Sequence, residues 1–207
     1  MKPALLVIAG PNGSGKTTLT ARLRQDTWSE GVEYLNPDEV AQDRFGDWNS
    51  PDAVLQAAQW TTARREELLF ARRGLAFETV FSAPDKLAFL VRARHAGYFS
   101  RIFFVGTSDP RINAARVAGR VMQGGHSVPI EKIITRYSRS MANLRVAFRL
   151  ADRIYIYDNS PEHEEAKLGT RIENGQLRKV YGPLPDWIAE ATAGLPRHPD
   201  FIDLSSS

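Results

Sequence analysis

The stretch Gly-Pro-Asn-Gly-Ser-Gly-Lys-Thr, from Gly10 to Thr17, spaces its glycines, lysine and hydroxyl in the pattern GxxxxGK[ST]. Glycine leaves nothing between a backbone N–H and an anion, so a loop of this kind can curl its amides around phosphate. A helix starting at the loop's end would aim its positive pole at the same point. Lys16 would then reach the β- and γ-phosphates, and the Thr17 hydroxyl would hold Mg2+. The context fits: "ALLVIA" before the loop is a short apolar run, and "KTTLTARLRQD" after it has helical periodicity. Gly10, Pro11, Asn12, Gly13, Ser14, Gly15, Lys16, Thr17 and Thr18 are therefore expected to bind ATP, with Thr17 also on the metal.

Further along the chain, carboxylates and arginines fall where strands end. "NPDEVA" offers Asp38, a candidate base for an attacking hydroxyl and equally a good helix cap, and Glu39, which suits the first turn of a helix. "FETVFS" places Glu78 and Thr79 in an otherwise apolar strand. A buried carboxylate there needs partners, either substrate hydroxyls or one of the many arginines. "RVAGRV" puts Arg116 and Arg120 on one helix face, where they could clamp phosphates or lie in solvent, and Arg136 and Arg139 follow in the next helix. His126 in "GGHSVP" could touch substrate, beside glycines able to hinge a lid, or be incidental. "YDNSP", Asp158 to Ser160, sits where a nucleobase would be met, but those residue types also make ordinary turns.

The elements that must position these groups alternate. Apolar runs at "ALLVIA", "VEYL", "LAFETVF", "SRIFFVG" and "DRIYIYD" are separated by helical patterns opening on proline or serine and closing on glycine. The expectation is an α/β fold of the P-loop NTPase type, a five-stranded parallel sheet with helices on both faces. A small C-terminal hairpin turning at Asn174-Gly175 and a short helix would follow, over about residues 168–195. Ligands in such sheets bind beyond the carboxyl ends of the strands. The length of 207 residues suits one domain spanning residues 1–207, with a frayed "DLSSS" end.

Composition narrows the function classes. With no cysteine, disulfides and thiolate metal sites are excluded. The short apolar N-terminal run is not a signal peptide, no stretch reaches membrane-spanning length, and a cytoplasmic protein is expected. A net charge of +3 and a pI of about 9.3 suit an anionic ligand. The arginines are scattered rather than run together, and carboxylates at two strand exits would repel a phosphate backbone, so nucleic acid is not the expected partner. There is no NKxD-type guanine motif and no apolar strand ending in an Asp-Glu pair. The pattern is that of a small kinase. An acceptor hydroxyl on a sugar, an antibiotic or a nucleic-acid end, or a non-kinase ATPase or nucleic-acid-binding module, stays open at this stage.

Taken in order, "GPNGSGKTT", "NPDE", "FETVFS", "FVGTSDP", "RVAGRVMQGGHSVP", "RYSRSMANL" and "YDNS" resemble the zeta toxins over roughly residues 4–160. The resemblance implies a P-loop kinase core using ATP and Mg2+ to phosphorylate the sugar 3′-hydroxyl of UDP-N-acetylglucosamine, held in check by an antitoxin, expected here as a separate chain. It implies Lys16 and Thr17 on phosphate and metal, Asp38 as base for the sugar hydroxyl, and Glu78 holding the amino sugar with Thr79 beside it. Arg116 or Arg120 would be the phosphate clamp and Arg136 a second one. The family often reads Glu-Gly-Thr with an arginine soon after; this chain reads Glu-Thr-Val-Phe-Ser without it.

Overall fold

The computed structural model describes residues 2–25, 27, 30–46, 50–122, 128–162 and 164–205. Its elements run β1 (Ala4–Ala9), α1 (Lys16–Leu23), β2 (Val32–Leu35), α2 (Pro37–Phe45), α3 (Pro51–Phe70), β3 (Gly74–Thr79), α4 (Pro84–His95), β4 (Phe99–Gly106), α5 (Pro110–Met122), α6 (Ile130–Ala147), β5 (Arg153–Asp158), β6 (Lys167–Glu173), β7 (Gln176–Val180), α7 (Asp186–Thr192) and β8 (Arg197–Asp203). One sheet holds all the strands in the order β2-β3-β1-β4-β5-β6-β7-β8.

The expected five parallel strands are its first five: β1 lies between β3 and β4, β2 flanks β3, and β5 flanks β4. A buried parallel strand is apolar on both faces, and Leu5, Leu6, Val7, Ile8 and Ala9 of β1 are all buried. Alternate residues feed opposite sides. Leu5, Val7, Phe77, Phe104 and Ile156 join a large cluster with Leu68 of α3, Phe89 of α4, Leu144 of α6 and Ile188 of α7. Leu6, Ala76, Phe103 and Tyr155 face a smaller cluster closed by Leu19 and Leu23 of α1.

The strand count departs from expectation: the sheet is mixed and has eight strands, not five. The hairpin is no appendage. β6 pairs antiparallel with β5, and β7 with β6. Asn174 and Gly175, at φ of 48° and 78°, make the turn that the Asn-Gly dipeptide announces. β8, built from "RHPDFID", then lies parallel to β7. Pro199 and the charges hide it from a propensity reading, yet they suit an edge strand. Ser50 occupies the N-cap position of α3 without a side-chain bond, and α3 ends at Phe70, so Gly74 opens β3 rather than stopping the helix. Among the described residues no helix is long and apolar enough to cross a membrane.

The C-terminal helix is keyed to the sheet at the site end. Trp187 is buried, its indole N–H donates to Asp158 Oδ1 at 2.8 Å, and a side chain at Gly106 would meet its ring at 2.5 Å. Trp187→Ala should therefore cost about 3–5 kcal/mol, measured as the shift in urea-unfolding free energy.

Candidate active site

The exits of β1, β3, β4 and β5 and the start of α2 converge where an α/β sheet binds its ligands. Gly10 to Gly15 leave β1 as a tight loop and α1 begins at Lys16. The loop is held from outside by side chains distant in sequence. Asn113 of α5, fully buried, donates its amide to the Asn12 carbonyl at 2.6 Å. Asn159, after β5, donates to the Ser14 carbonyl at 2.8 Å. A peptide unit is planar and trans, so a carbonyl held on one side turns the next N–H to the other. The N–H groups of Gly13 and Gly15 thereby face away from the tethers, toward the open side of the loop. Both glycines sit at positive φ, 76° and 94°. A Cβ on Gly13 would lie 2.6 Å from the Asn113 carbonyl oxygen, and one on Gly15 would lie 2.3 Å from the Asn159 amide nitrogen. Only glycine allows both the turn and the tether, and the loop fits a phosphate chain.

Asn113 is itself positioned: its Oδ1 accepts from the Thr107 hydroxyl. Tyr137 of α6 donates to the Thr107 carbonyl at 2.6 Å, and burial pushes its phenol up to about 12. The sequence reading missed Asn113 and Tyr137. The available signal was a lone asparagine on the buried side of α5, which a pattern of apolar residues does not separate from solvent-facing ones.

Lys16 is half-buried and its amino group rests on the Pro11 carbonyl at 3.0 Å. Burial pulls it down to about 8, with the Glu78 carboxylate opposing the fall and the Arg120 guanidinium adding to it. Thr17 Oγ1 is 3.5 Å from Glu78 Oε2, and Tyr34 of β2 donates to Glu78 Oε1 at 3.1 Å. Burial and the adjacent Glu78 carboxylate push the Tyr34 phenol well up, so it stays a donor. Thr17 and Glu78 together present hard oxygens beside the loop. No cluster of three or more His, Cys, Asp or Glu able to hold a metal occurs among the described residues. A hydroxyl and a carboxylate are donors of the type that suits Mg2+, which keeps waters and takes phosphate oxygens.

Asp38 lies in the first turn of α2, but the cap is Asn36, whose Oδ1 accepts from the Asp38 N–H at 3.0 Å. The exposed Asp38 carboxylate has no bonded partner among the described residues. Glu39 pairs with Arg24 at 3.0 Å. Between α2, α3 and β3 opens a cavity of about 240 Å³, reached by Leu35, Pro37, Thr61, Arg65, Glu78 and Lys86. Glu78 thus faces both the phosphate loop and this cavity.

The remaining expected residues separate. Arg136 Nη1 stands 3.5 Å from Asn12 Oδ1, over the loop. Arg120 is exposed and within electrostatic reach of Lys16. Arg116 is committed elsewhere, donating to the carbonyls of Asn159 at 2.7 Å and Pro161 at 3.0 Å. Thr79 Oγ1 accepts from the Phe81 N–H at 3.0 Å in a local turn. Asp158 is a structural acceptor for Trp187 and Ser160. Thr18 lines a cavity of about 130 Å³ with Arg22, Asn159 and Glu164. His126 lies outside the described residues.

A family model described as Zeta toxin matches residues 1–165. A Haemophilus influenzae protein of uncharacterised function is 25% identical over 138 residues, 66% of this chain and 94% of its own. Among solved structures, one from the PezAT chromosomal toxin–antitoxin system of Streptococcus pneumoniae superposes with a TM-score of 0.56 at 18% identity, covering 76% of this chain and 68% of that one. The AvrRxo1-ORF1:ORF2 complex with ATP gives 0.64 at 15% identity, covering 92% and 64%. At these identities the structural likenesses speak for the fold.

Two predictions follow from the loop. Lys16 is depressed from 10.5 to about 8 in the free protein, so the unfolded chain binds more protons between those values and stability rises with pH across that window. Bound phosphate restores the proton: calorimetry in buffers of different ionisation enthalpy should show uptake of up to about one proton per nucleotide near pH 9, vanishing near pH 6.5. Asn113→Leu, removing the tether's donor, should weaken ATP roughly tenfold or more while AMP affinity changes little, read by equilibrium titration.

Proposed function

The chain belongs to the Zeta toxin family, and from that premise we propose that it is an ATP-dependent kinase acting on a hydroxyl of a small molecule, most closely a UDP-amino sugar of the UDP-N-acetylglucosamine kind. The observation that carries the reading is the position of Glu78: one carboxylate bonded to Tyr34, 3.5 Å from Thr17, and lining a cavity whose rim reaches the start of α2.

In this reading the Gly13 and Gly15 amides hold the triphosphate, and Lys16 leaves the Pro11 carbonyl for the β- and γ-oxygens. Thr17 would hold Mg2+, which would supply neutralising charge to the triphosphate. The acceptor occupies the cavity beside Glu78, with its hydroxyl toward Asp38. Asp38 takes the hydroxyl proton, the acceptor oxygen forms a bond to the γ-phosphorus, and the bond from that phosphorus to the β–γ bridging oxygen breaks, leaving ADP. Arg120 and Arg136 answer the developing charge in this reading, a choice supported by the bonds of Arg116 to backbone carbonyls. The release of Asp38 from capping duty by Asn36 supports its part as base. A separate antitoxin protein belongs to the same proposal, supported by the toxin–antitoxin origin of the Streptococcus pneumoniae structure.

The test is a phosphate-transfer screen by mass spectrometry against UDP-sugars, sugars and nucleosides. ADP release should depend on a UDP-sugar, and equal release with and without every acceptor overturns the proposal. Asp38→Asn should lower kcat about 10²–10⁴-fold with ATP affinity nearly unchanged, and Lys16→Ala should abolish turnover. Full rate in Asp38→Asn would remove Asp38 from the chemistry.

A further inference from the structure

The two faces of the sheet are covered unequally. The face that takes Leu5, Val7 and Phe77 packs against α3, α4, α6 and α7. Among the described helices only α1, eight residues long, adds apolar side chains to the opposite face, where it lies against β1 and β3. A parallel α/β sheet ordinarily carries helices on both faces. Over β5, β6 and β7 the second face has no described helix in its apolar cluster, and its polar residues are half-exposed.

The strand register lines up two rows of side chains there. Arg101 of β4 stands opposite Arg153 of β5, which stands opposite Glu173 of β6. One step along the strands the row is Phe103, Tyr155, Arg171 and Lys179. Among the described residues of these rows, four cations thus share one carboxylate. Glu173 Oε1 lies 3.3 Å from Arg153 and 3.1 Å from Arg171. The guanidiniums of Arg101 and Arg153 lie over the Phe99 ring, 4.6 and 5.5 Å from its centroid, and the Lys179 amine lies 4.7 Å from that of Tyr181. At the rims the charges are matched instead: Arg178 with Asp200 at 3.8 Å, Arg22 with Glu165 at 2.9 Å and Lys167 with Glu164 at 2.6 Å.

We propose that this open half of the sheet docks an acidic amphipathic helix of another protein chain. The excess of cations calls for carboxylates, and guanidiniums laid flat on an aromatic ring are already ordered to meet them. A helix rises 5.4 Å per turn and neighbouring strands lie about 4.8 Å apart, so carboxylates one turn apart can reach cations on successive strands. Half-exposed Tyr157 and Leu168, paired on β5 and β6, give the apolar side of such a helix a bed. A nucleic-acid strand suits the surface less well. The Phe99 and Tyr181 rings carry cations where bases would stack, and Glu173 stands among the cations where phosphates would pass. Arg171, Glu173, Lys179 and Tyr181 all follow residue 165, where the family match ends. The surface is therefore built largely by the chain's own C-terminal strands, and the proposal does not rest on the kinase reading.

The experiment titrates the whole chain with a fluorescein-labelled helical peptide, three repeats of Glu-Ala-Ala-Glu-Leu-Ala-Leu, and follows anisotropy. The same peptide with glutamine for glutamate and an oligo(dT) strand are titrated beside it. The acidic peptide should bind at least about tenfold more tightly than its glutamine counterpart, and less tightly as salt screens the charges. Arg153→Gln and Lys179→Gln should each weaken it about two- to fivefold. Arg145→Gln, at an exposed position of α6 on the other side of the sheet, should not, and ATP should bind all three variants as it binds the wild type. Should a variant fail to fold, the wild type decides: carbodiimide must couple the peptide to the Lys179 amine in preference to that of exposed Lys132 on α6. Equal binding of the two peptides, undiminished binding in both variants, tighter binding of oligo(dT), or coupling that spares Lys179 overturns the proposal. So does a dimer of this chain that the same two variants dissociate, which would give the face to a second copy.

Discussion

The site depends on the direction of peptide dipoles between Asn12 and Gly15. Amides gather around an anion only if the matching carbonyls are held on the far side, and a glycine-rich loop left to itself samples many arrangements. Two asparagine amides, Asn113 from α5 and Asn159 from the exit of β5, hold those carbonyls. Each tether is fixed in turn, Asn113 by Thr107 and Tyr137, and the Asn159 segment by Arg116 and by its own N–H on the Gly106 carbonyl at 2.9 Å. The entropy of ordering the loop is thus met when the sheet folds, not when the ligand arrives. Trp187, packed on Gly106 and bonded to Asp158, extends the support to the C-terminal helix.

Charge is sorted around that loop. Lys16, Arg120 and Arg136 lie about the loop, with Arg120 close enough to lower the proton affinity of Lys16 and Arg136 beside Asn12. The Glu78 carboxylate stands toward the cavity that Arg65 and Lys86 also line. Glu78 is the hinge between the two: it steadies the Lys16 charge, approaches Thr17 and opens onto the cavity. Its bond from Tyr34, a phenol held firmly protonated, fixes which oxygen faces the loop. Arg24 stacks on the Tyr34 ring at 4.8 Å and pairs with Glu39, so β2, α1 and the first turn of α2 converge on one carboxylate.

Local signals carried far. The glycine spacing from Gly10 to Thr17 located the loop, because only glycine accepts positive φ with no room for a Cβ. The alternation of apolar runs and helical patterns gave the parallel strands, and Asn174-Gly175 gave the hairpin. The eighth strand was hidden because the "RHPDFID" stretch of β8 carries the proline and charges that keep an edge strand from pairing further, not the residues that favour strands. Arg116 and Arg120 read alike in sequence, one turn apart on a helix. Their division of labour depends on where the Asn159 and Pro161 carbonyls fall, some forty residues later. Asp38 and Asn36 were equally good caps by type; the bond from the Asp38 N–H to Asn36 settled which was left free.

By itself the sequence determined the glycine-rich loop, the segments that form the five parallel strands and the end of the sheet at which ligands are expected. These follow from backbone sterics and from hydrophobic periodicity, which act over a few residues at a time. The tertiary structure alone decided which asparagines tether the loop, which arginine is spent on backbone, and which carboxylate touches both loop and cavity. Hydrogen bonds and ion pairs are satisfied by whichever partner the packing brings within about 3 Å, and residue type alone does not say which partner that will be.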